Sequence, residues 1–146
     1  MWSILCGKSR TTRGGDRMGE PATIVIKADV EAVREAREFV GLVFGGWGLA
    51  DYVARTVVSE LATNAIRHGS REGDPVVVRA YRREDGVAVV ETWDRSDTPP
   101  VVRPVDHTAE SGRGLLLMEA LVLRWGTRRL SEGGKVVWVE IEPVPA

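Results

Sequence analysis

The sequence predicts an α+β domain with a mostly antiparallel sheet of about five strands and three helices. A short first strand is followed by two amphipathic helical stretches, and two pairs of β-rich stretches come later in the chain. Each pair is joined by a short glycine-containing turn, Asp85–Gly86 in one and Ser131–Gly134 in the other, which is typical of antiparallel hairpins. The 146 residues are enough to bury one hydrophobic core.

Composition and charge exclude several classes of protein. With 43% apolar and 28% charged residues, the chain has the composition of a soluble globular domain. The net charge of −1 gives no sign of binding to nucleic acid or to a membrane surface, and no apolar run approaches the roughly 18 residues that span a bilayer. Cys6 is the only cysteine, which excludes an internal disulfide and favours a cytoplasmic location.

Residues 1–20 are predicted to form a flexible tail ahead of a single domain at residues 21–146. The tail is basic and rich in glycine, serine and threonine, and its apolar part is too short for the core of a signal peptide. We therefore expect no export, and Met18 is an alternative natural start.

The first strand is predicted at Thr23–Ile26, and the first helix from Asp29 to about Phe44. Asp29 is a residue type that caps helix N-termini well. Apolar residues recur on one face of this helix at helical spacing, namely Val30, Val33, Ala36, Phe39, Val40 and Val43. The glycine-rich stretch at residues 45–48 separates it from the next helix.

The second helix, from about Leu49 to His68, has the most informative pattern. Its apolar face comprises Val53, Ala54, Val57, Val58, Leu61 and Ala65. At about 100° per residue, Glu60, Asn64 and His68 form one row, and the last two fall inside the apolar arc. A neutral polar group left unsatisfied in a core costs roughly 1–3 kcal/mol, and a charge costs more. The row therefore either has internal partners or lines a cavity.

Two interpretations of this row remain open. In the first, Glu60 and Asn64 lie at the boundary and bond to backbone or water. The helix dipole then favours His68, and Gly69 ends the helix in a left-handed conformation. In the second, the row belongs to a magnesium–nucleotide site, where the amide oxygen of Asn64 ligates the cation and Glu60 acts as a base or orients a water molecule.

A segment without periodicity follows the predicted hairpin of Val76–Arg82 and Val87–Trp93. Residues 96–113 include three prolines, and so long a loop in a compact domain is usually functional, such as a lid, or else disordered. It ends in Gly112–Gly114, directly ahead of an apolar helix from Leu115 to about Arg124. The bare N–H groups of such a helix start can bind phosphate, although glycines commonly just permit a tight turn.

The chain ends in two predicted strands, Trp125–Leu130 and Lys135–Glu142. In the second strand Val137, Val139 and Ile141 alternate with polar or aromatic residues. That alternation is typical of a half-buried antiparallel strand.

The order of these elements and their motifs resemble the GHKL superfamily and its Bergerat ATP-binding fold. The motifs are Glu60 with Asn64, Asp94 at the end of a strand, and Gly112-x-Gly114 before a helix. Residues 58–69 (VSELATNAIRHG) and 111–115 (SGRGL) are similar to the anti-sigma-factor serine/threonine kinases of sporulation and stress-response partner switches. The resemblance covers about residues 23–141 and implies a two-layer α/β sandwich, with the helices on one face of the sheet.

The resemblance also implies a role for each motif, with ATP and Mg²⁺ as cofactors. Glu60 would polarise the attacking hydroxyl or water, and Asn64 would hold Mg²⁺ at the phosphates. Asp94 would accept a hydrogen bond from the adenine amino group. The other implied ATP-binding residues are Ser96, Ser111, Gly112, Arg113, Gly114 and Leu115, with Arg67 and His68 on the phosphate side.

Two positions depart from the family's pattern. The family often has glycine two residues after the adenine aspartate, where this chain has Ser96. The last strand of the family often carries a threonine near that aspartate, where this chain has Gly134-Lys135-Val136-Val137. Val136 has no hydroxyl to offer, so we expect a missing adenine contact and weak affinity for ATP.

The resemblance implies a regulatory kinase that binds a sigma factor in one state and phosphorylates an antagonist protein in the other. A homodimer is also expected, because the relatives often dimerise. The alternative is a non-catalytic module that binds nucleotide or docks a partner on the same fold, which Ser96 and Val136 favour. A plain ATPase is a third hypothesis. A histidine kinase is not expected, since the stretch before residue 21 lacks the pattern of a dimerisation helix.

Overall fold

A computed structural model describes residues 20–69, 71, 73–96 and 118–146. Within them the elements are β1 (Ala22–Lys27), α1 (Ala32–Gly46), α2 (Tyr52–Asn64), a π turn (Ala65–Gly69), β2 (Pro75–Arg82), β3 (Ala88–Asp94), β4 (Arg124–Arg129) and β5 (Lys135–Ile141). The sheet order is β1-β2-β3-β5-β4, and each neighbouring pair is antiparallel. Residues 1–19 of the predicted tail, the lid from residue 97 onward and the glycine motif lie outside the described residues.

The helices pack on one face of the sheet, which confirms the predicted two-layer sandwich. α1 contacts β1 and β2, while α2 contacts β3 and β5. Residues 118–121 belong to a third helical segment, and Met118 is fully buried in the same core. Most other core side chains are small or β-branched, including Ala36, Val40, Ala54, Val57, Val58, Val78, Val90 and Val139. In the ranges that the structure describes, no helix is long and apolar enough to cross a membrane.

α1 differs from its prediction at the first turn. The helix begins at Ala32, and the Asp29 side chain accepts a hydrogen bond from the Glu31 backbone N–H at 3.0 Å. Asp29 therefore supports the entry to the helix, but Val30 precedes the first helical residue. The prediction that Val30 faces the core is wrong, since it is 85% exposed. Helical periodicity does not apply to a residue outside the helix.

α2 changes its winding one turn before its predicted end. The apolar face is confirmed, because Ala54, Val57, Val58 and Leu61 are buried. The α-helix ends at Asn64, however, and residues 65–69 form a π turn. A π turn is wider than an α-helical one, so the 100° spacing does not extend past Asn64. Glu60 and Asn64 therefore keep the predicted spacing of one turn within the α-helix.

Both predicted hairpins are present. In the first, the Arg83 N–H donates to the Val87 carbonyl at 2.9 Å, and Gly86 has a φ of +90°. In the second, the Leu130 N–H donates to the Gly134 carbonyl at 2.9 Å. These hydrogen bonds fix the register of β2 on β3 and of β4 on β5, and that register decides which side chains share a face.

β4 forms one edge of the sheet in the described part of the chain. It carries three arginines, Arg124, Arg128 and Arg129. The Arg124 guanidinium donates to the Glu140 carboxylate at 3.1 Å and lies 5.4 Å from the centre of the Trp138 ring. The edge strand is therefore held to β5 by side-chain contacts as well as by the backbone ladder.

Candidate functional site

Glu60 and Asn64 lie half-buried on consecutive turns of α2, above β3 and β5. The Asn64 Nδ2 atom is buried and has no hydrogen-bond partner among the residues that the structure describes. Leaving a buried amide unsatisfied costs roughly 1–3 kcal/mol, and a ligand bonded to Asn64 would recover that cost. Among the described residues, the Asn64 Nδ2 atom therefore does not have the partner that the first interpretation requires.

The residues fit Mg²⁺ only in combination with a phosphate ligand. Among the described residues no cluster of three or more His, Cys, Asp or Glu side chains could hold a metal ion. Mg²⁺ usually takes one or two protein oxygens and completes its octahedron with water and substrate phosphates. Turning the Asn64 amide by 180° exchanges its oxygen with the unsatisfied nitrogen, so this side chain can supply one such oxygen.

Asp94 lies at the end of β3, on the helix-facing side of the sheet. It alternates in phase with Val90, which belongs to the helix-side core. Its side chain is 1% exposed, and both carboxylate oxygens lie 3.0 Å from Lys135 Nζ. The Ser96 backbone N–H donates to Asp94 Oδ1 at 2.8 Å. Ser96 therefore does turn the chain, and the carboxylate of Asp94 holds that turn.

Burial raises the pKa of the Asp94 carboxyl above its ordinary value of 3.8, and Lys135 and the Ser96 N–H offset part of that rise. Since the folded-state pKa lies above the unfolded one, the folded protein holds this proton in a pH window where the unfolded chain has released it. The contribution of Asp94 to stability therefore falls as the pH rises from the ordinary value through the raised one.

The register of β3 on β5 corrects one prediction. Lys135 is the residue opposite Asp94, whereas Val136 is opposite Trp93. Val136 therefore points to the other face of the sheet, where it is buried with Trp93 and Val77. Comparing Val136 with the family's threonine was wrong, because the position that faces the aspartate belongs to Lys135. Lys135 was not among the site residues predicted from the sequence.

Gly134 brings the β4–β5 turn against the backbone that follows Asp94. A Cβ at this glycine would meet the Asp94 carbonyl oxygen and lie 3.2 Å from the Arg95 Cα. Gly133 has the same φ of +95°, but a Cβ there would have no atom within 4 Å. The two glycines therefore share a left-handed φ and differ in what an added Cβ would contact.

We expect Gly134→Ala to lower the free energy of unfolding by about 1–3 kcal/mol more than Gly133→Ala does. Both substitutions carry the strain of a left-handed backbone, of order 1–2 kcal/mol, but only the first also forces the turn away from Asp94. Urea denaturation of both variants measures the difference. Equal losses would show that the turn moves aside without cost.

The remaining predicted site residues divide into two groups. Arg67 is exposed in the π turn, which contacts β3, the strand that ends in Asp94. The side chain of His68 and the residues Ser111, Gly112, Arg113, Gly114 and Leu115 lie outside the described part of the structure. Their assignment to the phosphate side of the site stays a prediction.

Comparison with known proteins identifies the family. The family of the histidine kinase-like ATPase domain matches residues 26–141. The crystal structure of the RsbU and RsbW domains of Rv1364c from Mycobacterium tuberculosis is similar, with a TM-score of 0.61 and 22% sequence identity. The match covers 86% of this chain and 34% of that one, so this chain spans about a third of its length. At this identity the likeness shows the fold alone.

No curated protein matches the sequence. The family match nevertheless extends from β1 to the end of β5 and includes α2 and Asp94. The chain therefore belongs to the histidine kinase-like ATPase domain family, and its fold is that of the GHKL superfamily.

Proposed function

We propose that this protein is an ATP- and Mg²⁺-dependent serine/threonine kinase that regulates a sigma factor by phosphorylating an antagonist protein. The observation that carries the proposal is the buried Nδ2 of Asn64, which has no hydrogen-bond partner among the described residues and lies one turn after Glu60 on α2, the helix packed over the strand that ends in Asp94. The likeness to a solved structure that contains an RsbW domain also supports the proposed function.

Each residue has a role in this proposal. Asn64 holds the cation at the phosphates, and Asp94 accepts a hydrogen bond from the amino group of adenine. Mg²⁺, when bound there, would neutralise negative charge on the phosphates. Glu60 accepts the proton of the attacking serine hydroxyl, whose oxygen bonds to the γ-phosphorus as the bond to the β-phosphate oxygen breaks and ADP leaves.

A second candidate is a non-catalytic module that binds a partner protein, with or without nucleotide. The observation that favours it is the ion pair of Asp94 with Lys135, because both carboxylate oxygens are already bonded within the protein. A carboxylate that already accepts hydrogen bonds from an internal ammonium gains less from one more donor, so the net gain in affinity is small.

The two candidate functions differ in whether the protein transfers a phosphoryl group from ATP to an antagonist protein, and one experiment distinguishes them. The protein is titrated calorimetrically with ATP in the presence and absence of Mg²⁺. It is then incubated with γ-labelled ATP, Mg²⁺ and candidate antagonist proteins. We expect saturable, Mg²⁺-dependent binding and label on a serine or threonine of one antagonist. Binding without label on any antagonist would favour the non-catalytic module, and no binding would refute the proposed function.

A further inference from the structure

Lys135 occupies a strand position that otherwise holds core residues. It is in phase with Val137, Val139 and Ile141 on β5, all of which belong to the helix-side core. Its side chain is 7% exposed. A buried ammonium is costly unless it is paired and hydrogen-bonded, and Asp94 supplies that partner. The pair is thus a fixed feature of the site that contains the base acceptor.

The ammonium has a hydrogen-bond donor to spare. A lysine carries three N–H donors, and two of them suffice for the two Asp94 oxygens, each at 3.0 Å. Among the described residues Asp94 is the only side chain to which Lys135 donates. The described residues therefore leave one N–H for another acceptor.

The carboxylate has acceptor capacity to spare as well. Asp94 Oδ1 accepts from both Lys135 and the Ser96 N–H, whereas Oδ2 accepts, within the described part of the chain, from Lys135 alone. Each carboxylate oxygen has about two acceptor sites, so Oδ2 keeps one. The pair therefore presents an acceptor and a donor side by side in the same buried position.

An adenine base has the complementary edge. Its 6-amino group is a donor, and the neighbouring ring nitrogen N1 is an acceptor. We propose that Lys135 reads the nucleobase: while Asp94 accepts from the 6-amino group, the Lys135 ammonium donates directly to N1. The proposal rests on the proposed function, since it requires ATP to bind at Asp94. It assigns a specificity role to the position where the family often carries a threonine.

A direct ammonium contact makes recognition depend on N1 itself. In 1-deaza-ATP a C–H replaces N1 and the 6-amino group is kept. This analogue preserves the Asp94 contact and leaves the buried ammonium without its acceptor. A hydrogen bond to a charged group contributes about 1.5–3 kcal/mol, which corresponds to roughly a 10- to 150-fold difference in Kd.

The test measures the Kd of ATP and of 1-deaza-ATP for the wild type and for variants. We expect the wild type to prefer ATP by roughly tenfold or more. In Lys135→Met the ratio of the two Kd values falls to about 1, and in Lys135→Arg the preference persists because a cationic donor remains. Lys27→Met, which removes an exposed lysine from β1 at the opposite edge of the sheet, keeps the wild-type ratio.

Each outcome decides between the proposal and its failure. ATP binding with a wild-type ratio near 1, or with a ratio that Lys135→Met leaves unchanged, overturns the role of Lys135 alone. No binding of ATP to the wild type overturns the proposed function and this inference together. If Lys135→Met does not fold, the double variant Asp94→Asn with Lys135→Met removes both buried charges. A ratio in that variant equal to the wild-type preference would overturn the proposal.

Discussion

Replacing Glu60 by glutamine is expected to lower phosphoryl transfer to the antagonist roughly 100- to 10,000-fold, with ATP bound almost as tightly as in the wild type. Glutamine keeps the size of the side chain on α2 and its position one turn before Asn64. It cannot accept the proton of the attacking hydroxyl. Single-turnover transfer from γ-labelled ATP measures the rate, and calorimetry measures the affinity.

A matched control is Glu35→Gln, which makes the same chemical change on an exposed residue of α1. It should leave both the rate and the affinity unchanged. Transfer by Glu60→Gln at the wild-type rate would show that another group takes the proton. If the variant instead lost ATP, Glu60 would belong to the binding contacts and not to the chemical step.

Asp94→Ala is expected to lower the free energy of unfolding by about 3–5 kcal/mol, apart from any effect on nucleotide. The substitution leaves the Lys135 ammonium buried without its counter-charge, and a lone buried charge is costly. It also removes the acceptor of the Ser96 N–H that holds the turn after β3. Urea denaturation without ligand measures the loss.

Two control variants test whether the loss of stability comes from an unpaired charge in a buried position. The double variant Asp94→Leu with Lys135→Met replaces the pair by apolar side chains, and its stability should return to near or above that of the wild type. Arg34→Ala breaks an exposed ion pair with Glu31, whose side chains are 68% and 65% exposed, and should cost less than about 1 kcal/mol. If Asp94→Ala lowered the free energy of unfolding by no more than Arg34→Ala does, the Asp94–Lys135 pair would be open to solvent.

The hairpins and the apolar helix faces could be predicted from the sequence because local chemistry decides them. Asp85–Gly86 and the two glycines before Lys135 fit tight turns whatever surrounds them. Alternating apolar residues then fix which face of each strand is buried. The exposed Val30 was misplaced because the first helical residue depends on hydrogen bonds that a periodicity pattern does not contain.

The end of α2 could not be predicted in the same way. A π turn differs from an α-helix by the hydrogen-bond partner of each N–H, and the composition of residues 65–69 does not reveal that choice. The pattern identified Glu60 and Asn64 as misplaced polar residues, but it could not show that the buried Asn64 Nδ2 has no hydrogen-bond partner among the described residues.

Lys135 could have been found from the sequence by counting residues along β5. It is in phase with the apolar residues of that strand, and a charge at a buried position requires a partner. The register then identifies Asp94 as that partner. Val136 lies one residue away and on the opposite face of the sheet, because a one-residue slip exchanges the faces of a strand.

The arginines of β4 have a consequence for how copies of this protein meet in concentrated solution. An unpaired edge strand exposes backbone N–H and C=O groups with which a strand of another molecule can pair, and many proteins aggregate in this way. Here a second copy laid antiparallel along this edge would bring Arg124 close to Arg128 or Arg129 of its neighbour. Repulsion between these like charges disfavours growth of the sheet from one molecule into the next.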